Sequence, residues 1–192
     1  DDVESRGLGD VYKRQYMDRA DRCHRNTDRY QAWRQYIQRM TEKGMQEEVM
    51  KETDLLCKDA EKRKDKYGMA SGEMCIGYNH RVFGQNIKLC LEYYDSALKH
   101  FEEGKYYRDA YVVSLNIIQT YLARQSYSDA VPYLDRLGQL GKTVEGKDVV
   151  IGEALYMRYY QFRVITVLGI KGEKAAAPYI REANAYYFKN KE

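Results

Sequence analysis

The stretch of this sequence that comes nearest to a catalytic signature is GKTVEGKD, residues 141–148: a glycine, four residues, a second glycine and a lysine. In a P-loop that spacing lets backbone N–H groups and the lysine cradle phosphate oxygens, while a Ser or Thr hydroxyl after the lysine ligates magnesium. Here Asp148 follows Lys147, and a carboxylate at that point repels the phosphates it should help to hold. What precedes the stretch reads as helix rather than as a buried strand. It is therefore expected to be the long turn between two helical hairpins, and a nucleotide-dependent enzyme would rest on these residues alone. The three histidines, His24, His80 and His100, have no Ser, Asp or Cys around them in a triad or zinc pattern. His80 is expected in a helix seam. Cys23, Cys57, Cys75 and Cys90 form no CxxC pair; each falls in a helical pattern and reads as a free, buried, small hydrophobe. No catalytic set, cofactor or metal is expected.

The elements that must position any binding residues are helices. Residues 76–101, IGYNHRVFGQNIKLCLEYYDSALKHF, read as two helices around a turn at Gly84. Ile76, Gly77 and His80 share one face, and Cys90, Tyr94, Ala97, Leu98 and Phe101 recur at three- and four-residue spacing. Gly77 and Ala97 are small enough for two helix backbones to approach closely, with Tyr94 and Phe101 filling the space around them. Only 2 prolines in 192 residues argue for continuous helix. With 32 basic and 29 acidic residues the charge is too even to mark a nucleic-acid or membrane footprint. Tyrosine stands out at 20 residues, several in adjacent pairs such as Tyr93–Tyr94 and Tyr159–Tyr160. Neighbours on a helix lie about 100° apart, so one ring can pack inward and the other reach the surface. The tyrosines serve either as seam filler, the favoured reading, or as the lining of a ligand groove.

Residues 1–15, DDVESRGLGDVYKRQ, carry no period and resemble a translated sequencing-adapter string, so they are set aside. Residues 16–26 read as a partial repeat, a helix ended by Asn26 and Thr27 as break and N-cap. Hairpins follow at about 27–66, 67–104, 105–144 and 145–192. The first buries Trp33, Tyr36, Ile37 and Met40 against Val49, Leu55, Leu56 and Ala60 across a turn at Gly44. The third sets Ile117, Ile118 and Tyr121 against Ala130, Leu134 and Leu137, its second helix ending near Leu140. In the last two, AVPYLDRL at 130–137 aligns with AAPYIREA at 176–183, and Pro132 and Pro178 are expected in a first helical turn. Val49, Cys90, Ala130 and Ala176 are then equivalent, at spacings of 41, 40 and 46 residues. A single hairpin cannot bury its own apolar face, so stacking is required.

On these residues the chain resembles the tetratricopeptide repeat, with Trp33 and Gly77 at frame positions and longer helices than usual. The resemblance implies an all-α fold, a right-handed α-solenoid of stacked antiparallel hairpins, and a groove lined by the first helix of each. It places Arg34, Gln38, Met74, Tyr78, Arg81, Leu115, Gln119, Arg158 and Gln161 on that groove. The lysine and asparagine positions that clamp chaperone C-termini read Arg34, Gln38, Cys75, Val112 and Asn116, and only Asn116 matches. In style the chain resembles the N-terminal sensory part of Bacteroidetes sensor histidine kinases, although no kinase motif is present. That resemblance implies a non-catalytic protein- or peptide-binding scaffold, possible homodimerisation, no direct nucleic-acid contact, and a membrane reached only through segments outside this sequence. It also implies a periplasmic location. The alternative is a cytoplasmic peptide-responsive module attached to a DNA-binding domain.

Overall fold

The computed structural model of the chain describes Gln15 and residues 26–84, 86–144 and 149–189. Among the described residues every regular element is helical: α1 (Asn26–Glu42), α2 (Gln46–Arg63), α3 (Lys66–Asn79), α4 (Ile87–Glu103), α5 (Tyr107–Ala123), α6 (Tyr127–Val144), α7 (Glu153–Lys171) and α8 (Glu173–Lys189). The expected helix over 16–25, with Cys23 and His24, and the tail before it lie outside them, Gln15 excepted. Contacts divide the chain into two compact units, Asp1–His100 and Phe101–Glu192, the boundary falling within α4.

Four helix ends are built alike. Residue Gly44, Lys64, Lys105 or Gln125 takes a left-handed conformation, with φ of 72°, 53°, 59° and 59°. The next N–H then reaches five residues back: Met45 to the Met40 carbonyl at 3.0 Å, Asp65 to Ala60 at 2.9 Å, Tyr106 to Phe101 at 2.8 Å and Ser126 to Tyr121 at 3.0 Å. The left-handed residue donates to the carbonyl three back, as Lys64 does to Glu61 at 3.0 Å. This is the Schellman terminator, and it satisfies carbonyls that a helix end would otherwise leave without partners. Only at Gly44 did the sequence carry a glycine signal.

In the first unit, α1 packs on α2 and α3, and α2 on α3. Trp33, Tyr36, Ile37 and Met40 are buried against Val49, Leu56 and Ala60, as the spacing requires, each large apolar side chain contributing about 1.5–3 kcal/mol. Leu55, expected inward, is 40% exposed, because Leu56 takes the core position one helical step on. Asn26 and Thr27, expected as a break and N-cap, are already helical; Asn26 Nδ2 donates to Asp65 Oδ2 at 2.8 Å. After α3 the chain makes one π-helical turn, His80–Gly84, before the Asn86 side chain accepts from Leu89 N–H to start α4. A Cβ on Gly77 would lie 2.7 Å from the Tyr94 ring, so the close approach expected there is present. His80 stacks on Tyr93 at 5.9 Å, while Tyr94 is fully buried, the pair splitting as anticipated.

In the second unit, α5 packs on α6 and α7, α6 on α7, and α7 on α8. Its core gathers Tyr111, Leu115, Ile118, Ala130, Leu134 and Leu137. Residues 141–144 continue α6 and are not part of a turn, so the first half of GKTVEGKD is helical. Pro132 and Pro178 are each the sixth residue of their helix, beyond the expected first turn. The carbonyls they leave unbonded, those of Ser128 and Lys174, belong to exposed residues, where water can serve them.

Two outcomes are expected. Gln125→Gly removes a side chain from a left-handed backbone and should raise stability by about 1 kcal/mol in urea unfolding; an unchanged or lower midpoint would count against the terminator geometry. Asp59 accepts from Tyr30 Oη at 3.0 Å and from Arg63 Nε at 2.9 Å, with Arg29 at 3.4 Å. Burial pulls its carboxyl upward, but the bonds from Arg63 and Tyr30 and the Arg29 and Arg63 charges outweigh this and hold it below its ordinary 3.8. A depressed folded value stabilises fully above the unfolded value and is lost as pH falls through the folded one. Asp59→Asn should therefore cost about 1.5 kcal/mol at neutral pH, with the gap to the parent closing as the pH falls below about 4 in stepped thermal melts.

Candidate functional site

The residues that the repeat frame assigned to a groove fall into small groups. In the first unit, Arg34 donates through Nη1 to Met74 Sδ at 3.3 Å and through Nη2 to Tyr67 Oη at 2.8 Å, its guanidinium 5.5 Å from the Tyr67 ring. Arg81, in the π-helical turn, lies 4.9 Å over Tyr78. Gln38 is exposed and bonds Glu42 of its own helix at 3.0 Å. In the second unit, Arg158 donates to Gln119 at 3.0 Å and lies 5.5 Å over Phe162, while Gln161 is exposed. Leu115 corrects the frame: it is fully buried in the core and presents nothing to a groove. Leu115 stands four residues after Tyr111 and three before Ile118, on the same buried face of α5.

The second unit carries a cleft of about 1010 Å³ that none of these residues lines. It is formed by stripes on three helices. On α7 the stripe is Tyr156, Tyr159, Tyr160, Arg163, Thr166, Val167 and Ile170, on α8 it is Tyr179, Glu182 and Tyr186, and α6 supplies Val131, Leu134, Asp135 and Gly138 among others. The spacings are the three- and four-residue steps of a helical face. Tyr111 of α5 lines the cleft from beneath.

The rings form a connected ladder. Tyr111 meets Tyr156 edge-on at 5.6 Å, Tyr156 lies 6.1 Å from Tyr186, Tyr186 4.8 Å from Tyr160, and Tyr160 5.5 Å from Tyr159. Gly138 makes room for it: a Cβ there would stand 2.8 Å from the Tyr159 hydroxyl. Arg163 ties α7 to α8. Its Nη1 donates to both Glu182 carboxylate oxygens at 3.0 Å, and its guanidinium lies 5.4 Å from the Tyr159 ring and 4.9 Å from the Tyr179 ring. The central cation and anion of the cleft thus neutralise each other.

Two hydroxyls at this site are buried and have no hydrogen-bond partner among the described residues: Tyr111 Oη and Thr166 Oγ1. Tyr111 is wholly buried and Thr166 is 2% exposed. Thr166 departs from the habit of the chain, because Thr41, Thr53, Ser114, Thr120 and Thr143 all donate to the carbonyl four residues back, at 2.7–3.0 Å. Burial, foremost, raises the hydroxyl pKa of Tyr111, Tyr159, Tyr160 and Tyr186, so all stay neutral at physiological pH. The lining holds no histidine or cysteine. Flat apolar faces and neutral hydroxyls suit it to hold a ligand by contact and hydrogen bonding.

Elsewhere, Cys57 is half-buried, and Cys75 and Cys90 are buried. Burial pushes the Cys57 thiol up to about 11, with help from the charges of Glu61, Asp54 and Glu73, and the Cys75 thiol up to about 12.

The tyrosine content offers an aromatic groove or seam filler without a place for either. The signal was present in Tyr156, Tyr159/Tyr160 and Arg163 on one face and Tyr179, Glu182 and Tyr186 on the other. The expected split of Tyr159 and Tyr160 does not occur, since both line the cleft. No family model matches this chain, and no curated protein or solved structure is significantly similar to it.

A buried hydroxyl without a partner is a cost that phenylalanine removes. Tyr111→Phe should raise stability by about 1 kcal/mol in denaturant unfolding; a loss of that size would mean that the hydroxyl is satisfied in solution.

Proposed function

We propose that the chain is a non-catalytic, partner-binding helical repeat module whose site is the tyrosine-lined cleft of its second unit. The observation that carries this reading is a cleft lined by Tyr156, Tyr159, Tyr160, Tyr179 and Tyr186, partly exposed rings that offer broad apolar faces beside neutral hydroxyls. The absence of a nucleophile–base pair in the lining supports binding over turnover. On this reading the hairpins stack as a right-handed, tetratricopeptide-like α-solenoid. The packing of α1, α2 and α3 on one another, and of α5, α6, α7 and α8 in succession, supports that arrangement within each unit.

In this proposal the module is the sensory or interaction part of a bacterial signalling protein of the sensor histidine kinase type. Occupation of the cleft, which spans α6, α7 and α8, would bias the two states of an attached signalling region through its preference for one of them. The Arg163 clamp between α7 and α8 is the element through which a ligand would act.

The test is selection of random dodecapeptides on the chain, with counter-selection on a Tyr160→Ala/Arg163→Ala double variant. Enriched peptides that bind the parent and lose at least tenfold on the variant are expected. Failure to enrich any peptide that distinguishes the two would remove the binding reading. Sequencing the gene on both sides of this stretch tests the signalling context: a membrane span and kinase core in frame are expected, and a DNA-binding domain there would overturn it.

A further inference from the structure

We infer that a second copy of this chain covers the outer face of α7 and α8, the two copies meeting across a two-fold axis at the level of Gln161 and Asn184. This interface is independent of the cleft. Of the large apolar side chains exposed among the described residues, Ile165, Leu168 and Ile170 lie on α7 and Ile180, Tyr187 and Phe188 on α8, more than on all the other helices together. Ile170 lines the cleft, and the others form one surface. Gln161, Ile165 and Leu168 recur at helical spacing on α7, and Ile180, Asn184, Tyr187 and Phe188 on α8. On both helices the stripe lies, on average, more than about a third of a turn from the residues that join α7 to α8, such as Tyr160, Arg163, Glu182 and Tyr186. The same positions one hairpin earlier receive a helix. Ala130–Leu137 of α6 aligns with Ala176–Ala183 of α8, so Leu134, Gly138 and Gly141 correspond to Ile180, Asn184 and Tyr187. On α6 they meet α7: Leu134 is 6% exposed, and a Cβ on Gly138 or Gly141 would stand 2.8 Å from the Tyr159 hydroxyl or 3.6 Å from the Tyr156 ring. On α8 they are open, Ile180 at 42%.

The residues of the face select a second copy as its cover. The notches that Gly138 and Gly141 leave for tyrosines on α6 are filled on α8 by Asn184 and Tyr187. A hairpin docked as α7 docks would press its rings against side chains. The face instead complements itself. Arg163 of α7 bonds Glu182 of the antiparallel α8, so Gln161, two residues before the one, stands level with Asn184, two after the other. A two-fold axis across the face at that height sets each amide opposite its own copy. An amide both donates and accepts, so like pairs with like. The same axis sets Leu168 against the small Ala154 of the other copy, Ile165 against its Met157, and Ile180 against its Phe188. None of these residues is charged, so no like charges meet across the axis. The area suffices as well. Ile165, Leu168, Ile180, Tyr187 and Phe188 are about half exposed, and at about 200 Å² for a large apolar residue they leave on the order of 500 Å² per copy. Two such faces remove on the order of 1,000 Å² from water before their rims are counted, which is where specific interfaces begin.

The experiment is sedimentation of the whole chain from about 1 to about 200 µM. A dimer is expected to form within that range, with a melting temperature that rises with concentration. Ile180→Glu, at an already exposed position, should weaken dimerisation at least about tenfold and leave the melting temperature of the dilute chain unchanged. Met50→Glu, exposed on α2, should leave dimerisation as it is. Mild oxidation tests the axis. Asn184→Cys should yield a covalent dimer, while the parent and Lys174→Cys, near the opposite end of α8, should not. A chain that sediments as a monomer throughout overturns the inference. So does a dimer that survives Ile180→Glu or is lost with Met50→Glu. A covalent dimer from Lys174→Cys, or none from Asn184→Cys, overturns it as well.

Discussion

Everything in this fold depends on where its helices stop. An amphipathic helix of 17 or 18 residues buries nothing until its neighbour is turned back against it, and the turn must come when the apolar stripe faces the right way. At four ends the chain solves this with the same two backbone hydrogen bonds and one left-handed residue. Three of those residues are Lys64, Lys105 and Gln125, which pay in backbone strain for carbonyl bonds that the helix needs. The packing of α1 on α2 and of α5 on α6 follows from these reversals. The tyrosine-lined cleft follows in turn, because it exists only where α6, α7 and α8 present their stripes to one another.

The helical character of the chain was legible because periodicity at three and four residues is a direct readout of burial on a helix. Trp33, Tyr36, Ile37, Met40, Cys90, Tyr94, Ala97, Leu98 and Phe101 are all buried as their spacing requires. Termini were harder to read. Glycine is the sequence signal for a left-handed residue, and at Lys64, Lys105 and Gln125 there is none. The π-helical turn at His80–Gly84 is a departure from 3.6 residues per turn that a 3.6-residue pattern cannot detect. The extension of α6 through Val144 was hidden by the glycine at 141, which opens GKTVEGKD yet does not end the helix.

The site was legible in residue type and illegible in place. Tyrosine is the outlier of the composition, but adjacency does not tell which rings are wholly enclosed and which stand around a space. Tyr30, Tyr36, Tyr67 and Tyr94 are seam residues, fully or almost fully buried. Tyr156, Tyr159, Tyr160 and Tyr186 stack into a ladder with one side open. The difference is set by α7 and α8, which bury only Thr166 and Ala176 completely. Fewer neighbours cover this end of the unit, so the same residue type that fills a seam in the first unit lines a cleft here. Leu115 departs from its groove assignment because it shares the buried face of α5 with Tyr111 and Ile118.

The shared terminators bear on how such a chain can change over generations. A helix end held by main-chain N–H and carbonyl groups asks little of the side chains beside it, and Gly, Lys and Gln occupy the same structural position here. Substitutions at these joints can accumulate almost without trace in the architecture. Lineages that keep the same hairpins can therefore lose any shared lettering at the points that define them, and the ancestry of such repeats is better sought in the geometry of their joints than in their residues.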